Sequence, residues 1–380
     1  MYTISNSEIM INTVYREEGK YCSFPHMVKY EDRIICVFRR ASHFSVMSAM
    51  EGKHTHHDPD SEICQIESYD NGESWDQESF KVIYKSEFGV NDPSLTVLKN
   101  GSILLRFVAL KIEKTEDIEE FPKKIFSHRS EHGLVTEVVN NLLLISSDGG
   151  KTWKDHGEIK SSITGPSCSR DPLIQLSDGS LLASVYTGAP QRSDISWVLR
   201  SFDNGKTWGE ETVLGIDRKG QYSQLQGINY NETSLLDMGS GEIYALIRGD
   251  ESFHTDNEFM PVGGIGKLYI SRSLDSGLCW TRPIDTGIFG QPGQIILLQS
   301  GEILCTYGYR KTPFGVRAII SKDNGTSWEL ENEIIIEEGF NSWDCGYPFS
   351  LELQDGSILT AYYANEPTGE RTIKSKIWKL

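Results

Sequence analysis

Six places along this chain set a functional or small side chain at the mouth of an apolar, β-prone run: Ser23-Phe24-Pro25, Asn91-Asp92-Pro93, Arg170-Asp171-Pro172, Asn231-Glu232, Gln291-Pro292 and Tyr347-Pro348. Asp92, Asp171 and Glu232 supply enough carboxyl groups for glycoside hydrolysis, in which one protonates the leaving oxygen and another serves as nucleophile or base. Asp92 and Asp171 are equally suited to binding sugar hydroxyls, and Arg170-Asp171 to a structural ion pair. Gln291 adds a neutral amide and Tyr347 a phenol. A single polar residue ahead of a strand is ordinary solvated loop. Five such openings with functional groups in one chain call for an architecture that brings them together.

That architecture is written in two repeats. Strand-turn-strand phrases run from Phe24 to Phe38, Asp92 to Leu105, Asp171 to Leu182, Glu232 to Leu246, Pro292 to Leu304 and Tyr347 to Leu359, with Asn-Gly, Asp-Gly and Ser-Gly pairs marking hairpin turns between strands of period two. An octapeptide S-x-D-x-G-x-x-W follows five of the six, at Ser68–Trp75, Ser146–Trp153, Ser201–Trp208, Ser273–Trp280 and Ser321–Trp328. In each, the Asp carboxylate can accept amides of its own turn and the Gly supplies a backbone angle that few residues tolerate. A strand entering the octapeptide and a short one leaving it bring each unit to four strands. Six four-stranded antiparallel units around an axis predict an all-β, six-bladed β-propeller, which hides sheet edges by radial repetition. The sixth unit lacks an octapeptide and ends in Thr372–Leu380; its outer strand is expected from Tyr2–Val14, so that the two ends of the chain close the ring. One blade cannot bury its own faces, so residues 1–380 are expected to form one domain.

Composition narrows the function classes. No apolar run is long enough to span a membrane. A net charge of −17 argues against nucleic acid and anionic membranes as partners, while leaving room for a small anion held by a local arginine cluster. The segment MYTISNSEIMIN has neither a basic start nor an apolar stretch, and the seven scattered cysteines lack CxxC spacing, so a reducing, cytoplasmic setting is expected.

The octapeptide is the Asp box, or BNR repeat, and with the six-unit arrangement the chain resembles the sialidase (neuraminidase) superfamily over nearly its whole length. The resemblance places the boxes on the periphery as stabilising turns and the chemistry at the axis. It implies an exo-acting retaining glycosidase for a terminal acidic sugar, without metal or cofactor. Tyr347, after Cys345-Gly346, matches the nucleophile that opens the last blade, and Glu232 matches its base. Arg248, in EIYALIRGD, matches a carboxylate-binding arginine; a further one is Arg317, in GVRAIIS, or its neighbour Arg310. The logic is electrostatic: a substrate carboxylate repels a carboxylate nucleophile but not a phenol deprotonated by a neighbour, and planar guanidinium groups grip the acid two-pronged. The tyrosine nucleophile of sialidases is the recognised exception to the two-carboxylate rule.

The family's proton donor is an aspartate in a loop after the second strand of the first blade. Here that loop is Ala41–Asp60, where Asp58 is preferred over Asp60 and Arg40 matches the flanking arginine. His54, His56, His57, Asp58 and Asp60 also raise metal ligation, but the histidines crowd together and no second ligand cluster exists, so none is expected. The pattern is broken at one place: Ser23 stands where the family has the first arginine of its carboxylate clamp, and Arg39, Arg40 or Arg170 must fill the gap if anything does. A hydrolase of exo-arabinanase type or a polysaccharide lyase acting on another glycan, and a glycan-binding propeller without turnover, therefore remain open beside the sialidase reading.

Overall fold

In a computed structural model of the chain, the described residues are 10–41, 58–114, 127–129, 134–163, 165, 167–187, 195–216, 226–253 and 266–380. They are almost wholly strand. The first group is β1 (Met10–Tyr15), β2 (Tyr21–Tyr30), β3 (Arg33–Ala41), β4 (Glu62–Ser68) and β5 (Asp76–Tyr84), followed by β6 (Gly89–Val97), β7 (Ile103–Lys114), β8 (Ser127–Arg129), β9 (Leu134–Ser146) and β10 (Lys154–Glu158). Next come β11 (Ile174–Gln175), β12 (Leu181–Tyr186), β13 (Ser196–Ser201) and β14 (Gly209–Gly215), then β15 (Gln226–Gly239), β16 (Glu242–Phe253), β17 (Gly266–Ser273) and β18 (Ile284–Phe289). The chain finishes with β19 (Gly293–Leu297), β20 (Ile303–Tyr309), β21 (Phe314–Ser321) and β22 (Ile334–Phe340), and with β23 (Gly346–Glu352), β24 (Ile358–Asn365) and β25 (Arg371–Trp378).

These strands form a propeller arrangement of antiparallel meanders. Three sheets are β11 to β14, β15 to β18 and β19 to β22; another is β6-β7-β9-β10 with β8 added beside β9. The largest sheet has eight strands, in which β23-β24-β25 and β2-β3-β4-β5 meet through a single parallel bridge between Tyr21 and Arg371. β1 pairs antiparallel with β25 from Met10–Ile377 to Tyr15–Ile373, the closing partnership expected of the two chain ends; residues 2–9 of the expected strand lie outside the described residues. The sequence reading missed β8 and the extension of β7 and β9 toward Lys114 and Leu134, where the alternation simply continues past the length of the other units.

Sheet-on-sheet burial holds the units together. Each apolar cluster straddles two successive units, as where Ile35 and Val37 of β3 pack with Leu95 of β6 and Phe107 of β7, or where Leu182 and Val198 pack with Leu235 and Ile243. Hydrogen bonds between inner strands run around the same circuit: Leu95 N donates to His26 Nδ1 at 3.1 Å, Ser94 Oγ to Asp171 O at 3.3 Å, Ser184 Oγ to Thr233 O at 2.8 Å, Ile295 N to Ser234 Oγ at 3.4 Å and Ser350 N to Gln294 Oε1 at 2.7 Å. The last join is ionic. Asp344, fully buried, accepts from Tyr21 Oη (2.9 Å), Tyr363 Oη (2.8 Å) and Arg371 Nε (2.9 Å), tying the final meander to β2.

The five boxes share one geometry. The Ser hydroxyl donates to the Asp at 2.7–2.9 Å and accepts the Gly amide; Asp Oδ1 accepts the amide four residues on (Ser74, Thr152, Thr207, Cys279 and Ser327) at 2.8–2.9 Å. Each joins the outermost strand of its sheet to the strand beside it.

Two predictions follow from this construction. Removing Asp344 takes from the Arg371 guanidinium, only 2% exposed, the carboxylate that pairs with it, so Asp344→Ala is expected to cost about 3–5 kcal/mol in chemical denaturation. The box hydroxyls and amides pull Asp203 and Asp323 from 3.8 down to about 2. Their contribution is therefore complete above pH 3.8 and lost as pH falls toward 2, and a D203N/D323N variant should show a shallower decline of Tm over that interval than the wild type.

Candidate active site

Four inner strands carry the same irregularity at their mouths. The ladder slips between Ser23 and His26, Asn91 and Ser94, Tyr230 and Thr233, and Gly346 and Phe349. Three of these bulges contain a proline, which cannot donate to a ladder, and the residue before it takes a left-handed backbone: Phe24 at φ 57°, Asp92 at 51° and Tyr347 at 49°. Such angles cost a non-glycine residue on the order of 1–3 kcal/mol and persist where the surroundings hold them. Phe24, Asp92 and Tyr347 thereby leave the alternation of their strands and line one small axial cavity with His26, Arg170 and Asp171.

Tyr347 and Glu232 meet in that hub. The phenol Oη donates to Glu232 Oε1 at 2.5 Å, and Arg248 Nη1 donates to Glu232 Oε2 at 2.6 Å. Arg248 is itself held by Asp250 at 2.9 Å, and Asp250 also accepts from Asn231 Nδ2. The tyrosine ring is boxed by Phe24, whose centroid is 4.6 Å away, and by the guanidinium groups of Arg170 and Arg310 at 5.2 and 5.5 Å. Burial raises the Tyr347 phenol well above its ordinary value and the Glu232 charge adds to this, opposed by Arg248 and Arg310. Burial also pushes Glu232 upward, but Arg248, Arg170 and the hydrogen bonds from Tyr347 and Arg248 outweigh it and hold the carboxylate below 4.5. A charged base therefore sits against a neutral phenol.

Arg170 is the staple of the hub. It donates to Asp171 Oδ1 at 3.0 Å, Gly293 O at 3.1 Å and Pro348 O at 3.0 Å, spanning three separate meanders. The structural ion pair considered from the sequence is present, and it reaches across the axis. Asp171 is raised by burial to about 6, with Arg170 pulling down and Glu232 pushing up.

The remaining sequence candidates divide plainly. Arg310 stacks between Trp343 and Tyr347, and its Nε and Nη2 are buried without a hydrogen-bond partner among the described residues. Arg317, the preferred candidate from sequence, is instead committed to Glu333 and lies 3.4 Å over the Tyr309 ring, since it projects from the other face of its strand. Arg40 likewise points away from the hub: alternation along β3 turns Arg39 inward, whereas Arg40 is engaged by Glu62 at 2.6 Å and Glu17 at 2.5 Å. Gln291 folds back over Gly266, where a Cβ would overlap its amide. Asp58 is 2% exposed and its carboxylate caps its own turn through the Asp60 amide at 2.8 Å; Asp60 is exposed. His54, His56 and His57 lie outside the described residues. Among the described residues no group of His, Cys, Asp or Glu is arranged to hold a metal ion. Sequence reasoning missed Phe24, His26 and Asp250, although Asp250 stands two residues beyond Arg248 on the same strand and could have been found from that spacing.

One consequence concerns the phenol. Glu232→Gln removes the negative charge facing Tyr347 and leaves the arginines, so the Tyr347 phenol should ionise at lower pH than in the wild type, read by ultraviolet difference titration against the Tyr347→Phe variants.

Comparison with known proteins agrees with the fold. Residues 125–360 match the family described as BNR repeat-like domain, which covers more than half of the chain, and the chain belongs to that family. A solved protein of unknown function from Dyadobacter fermentans is 26% identical, with a TM-score of 0.79 over 98% of this chain and 100% of that one. The NanB sialidase of Streptococcus pneumoniae is 12% identical, with a TM-score of 0.66 over 97% of this chain and 70% of that one. The leech intramolecular trans-sialidase, solved with 2,7-anhydro-Neu5Ac, is 13% identical, with a TM-score of 0.62 over 94% and 68%. A search of curated proteins found no match. At these identities the sialidases are likenesses of fold, and the fold is that of a sialidase-like propeller.

Proposed function

We propose that this member of the BNR repeat-like family is a retaining exo-glycosidase of sialidase type, acting on a terminal acidic sugar at the hub of a six-bladed ring. The count of six takes the eight-stranded sheet as two blades, which only one parallel bridge joins. The observation that carries the functional reading is the 2.5 Å hydrogen bond from the Tyr347 phenol to Glu232, made across the axis by residues 115 positions apart.

In this reading Glu232 takes the phenolic proton as Tyr347 Oη bonds to the anomeric carbon, giving a glycosyl-tyrosine that water then hydrolyses. Arg248 keeps the base ionised and oriented, and Asp250 keeps Arg248 in place. Arg310 offers the unpaired Nε and Nη2 of its guanidinium to the acid group of the sugar. Phe24 and Ser23 at the first bulge supply no cation. One two-pronged arginine therefore takes a larger share of the acid, and this favours a second reading, in which the same machinery cleaves an acidic sugar other than sialic acid.

The test is a panel of 4-methylumbelliferyl glycosides containing sialic, uronic and neutral sugars. Turnover of an acidic member is expected, abolished by Tyr347→Phe and lowered about 10²–10⁴-fold in kcat by Glu232→Gln. Arg310→Ala should lower kcat/KM on the order of 10–100-fold, the worth of a charged hydrogen bond of about 1.5–3 kcal/mol, whereas Arg317→Ala should not. Because Glu232 is held below 4.5, the acidic limb of kcat/KM should lie below that pH. Turnover of neutral sugars alone would contradict the role of Arg310, and binding without product for every sugar would contradict catalysis.

A further inference from the structure

Three carboxyl groups face the hub, and two of them have an ion-pair partner. Glu232 lies 2.6 Å from Arg248, and Asp171 lies 3.0 Å from Arg170. Asp92 has neither an ion pair nor a hydrogen bond from any described residue, although it is 6% exposed and its Oδ1 is wholly buried. Its backbone is held at φ 51° ahead of Pro93, which aims the side chain into the axial cavity shared with Tyr347.

A carboxyl group buried without a donor or a partner keeps its proton. The surroundings reinforce this. Burial and the charge of Glu232 push Asp92 well above 3.8, Arg170 and Arg39 pull the other way, and Asp171 pushes further up. His26 also opens on the cavity from β2. Its Nδ1 accepts from the Leu95 amide, so its hydrogen is on Nε2, a buried donor with no acceptor among the described residues.

We propose that Asp92 is the catalytic acid of this site, giving its proton to the oxygen that leaves the sugar. The assignment rests on the glycosidase reading above and replaces Asp58, whose carboxylate is an acceptor in its own turn. As the bond between the anomeric carbon and the leaving oxygen breaks, the Asp92 proton completes the departing alcohol while the Tyr347 proton passes to Glu232. In the second half, water attacks the anomeric carbon, its proton returns to the Asp92 carboxylate, and Glu232 restores the proton to the released phenolate. Both side chains end as they began.

The experiment compares Asp92→Asn and Asp58→Asn on two glycosides of whichever sugar the wild type cleaves, one with an alkyl alcohol leaving group and one with an activated phenol that departs without a proton. D92N is expected to lose about 10²–10⁴-fold on the alkyl glycoside and less than about tenfold on the phenyl one, and to lose the alkaline limb of its pH profile. D58N should not distinguish the two. Isotope-edited infrared difference spectra at pH 7 should show a protonated carboxyl band in the wild type that D92N lacks, and D92N should melt no lower than the wild type. Equal losses on both glycosides, leaving-group dependence in D58N, or an ionised Asp92 at pH 7 would overturn the assignment alone. If the wild type cleaves no glycoside, the glycosidase reading falls and the role of Asp92 falls with it.

Discussion

The organisation of the hub depends on one buried cation. Arg170 is held at the axis by carbonyls of two other meanders and by its own neighbour Asp171, and its guanidinium lies under the Tyr347 ring. A guanidinium is never neutral under physiological conditions, so burying it requires that its donors be met, and they are met only when three separate sheets arrive together. The same charge acts on Asp92, Asp171 and Glu232. Arg170 thus joins three meanders and also acts on the protonation of the site, together with burial and Arg248. With Arg170 on Asp171 and Arg248 on Glu232, Asp92 makes no ion pair with a described residue.

Getting these groups to the axis requires a departure from regular β-structure. A residue in regular alternation points into one of the two faces of its sheet, where the apolar clusters lie. The bulges at Phe24-Pro25, Asp92-Pro93, Asn231-Glu232 and Tyr347-Pro348 break that alternation at one end of the inner strands, and in three of them a proline removes a ladder donor at the place where the strand must bend. The local strain is offset by packing between the sheets.

Much of this was legible in the sequence because the signals are local. The boxes, the hairpin dipeptides and the Pro-marked openings each report on a few consecutive residues, and they located the strands, the closing pair β1–β25, and the meeting of Tyr347 with Glu232; Arg248, expected to hold a substrate carboxylate, is bound to Glu232 and Asp250 instead. What failed to show is set by alternation and by distance. Arg39 against Arg40 is a difference of strand face that a motif match cannot resolve, and Arg310 against Arg317 is the difference between a residue just past the end of a strand and one facing Glu333 within the next. The partnerless state of Asp92 is a property of four converging strands. No stretch of sequence around Asp92 encodes the absence of a donor.

The central claim is that the Tyr347 phenol, relieved of its proton by Glu232, becomes bonded to the sugar. The most direct measurement is intact-protein and peptide mass spectrometry after exposure to fluorinated glycosyl fluorides, which form the covalent intermediate quickly and release it slowly. The account predicts a single glycosyl adduct on the peptide carrying Tyr347, absent from Tyr347→Phe. An adduct on Asp92, Asp171 or Glu232, or steady turnover with no adduct at all, would contradict it.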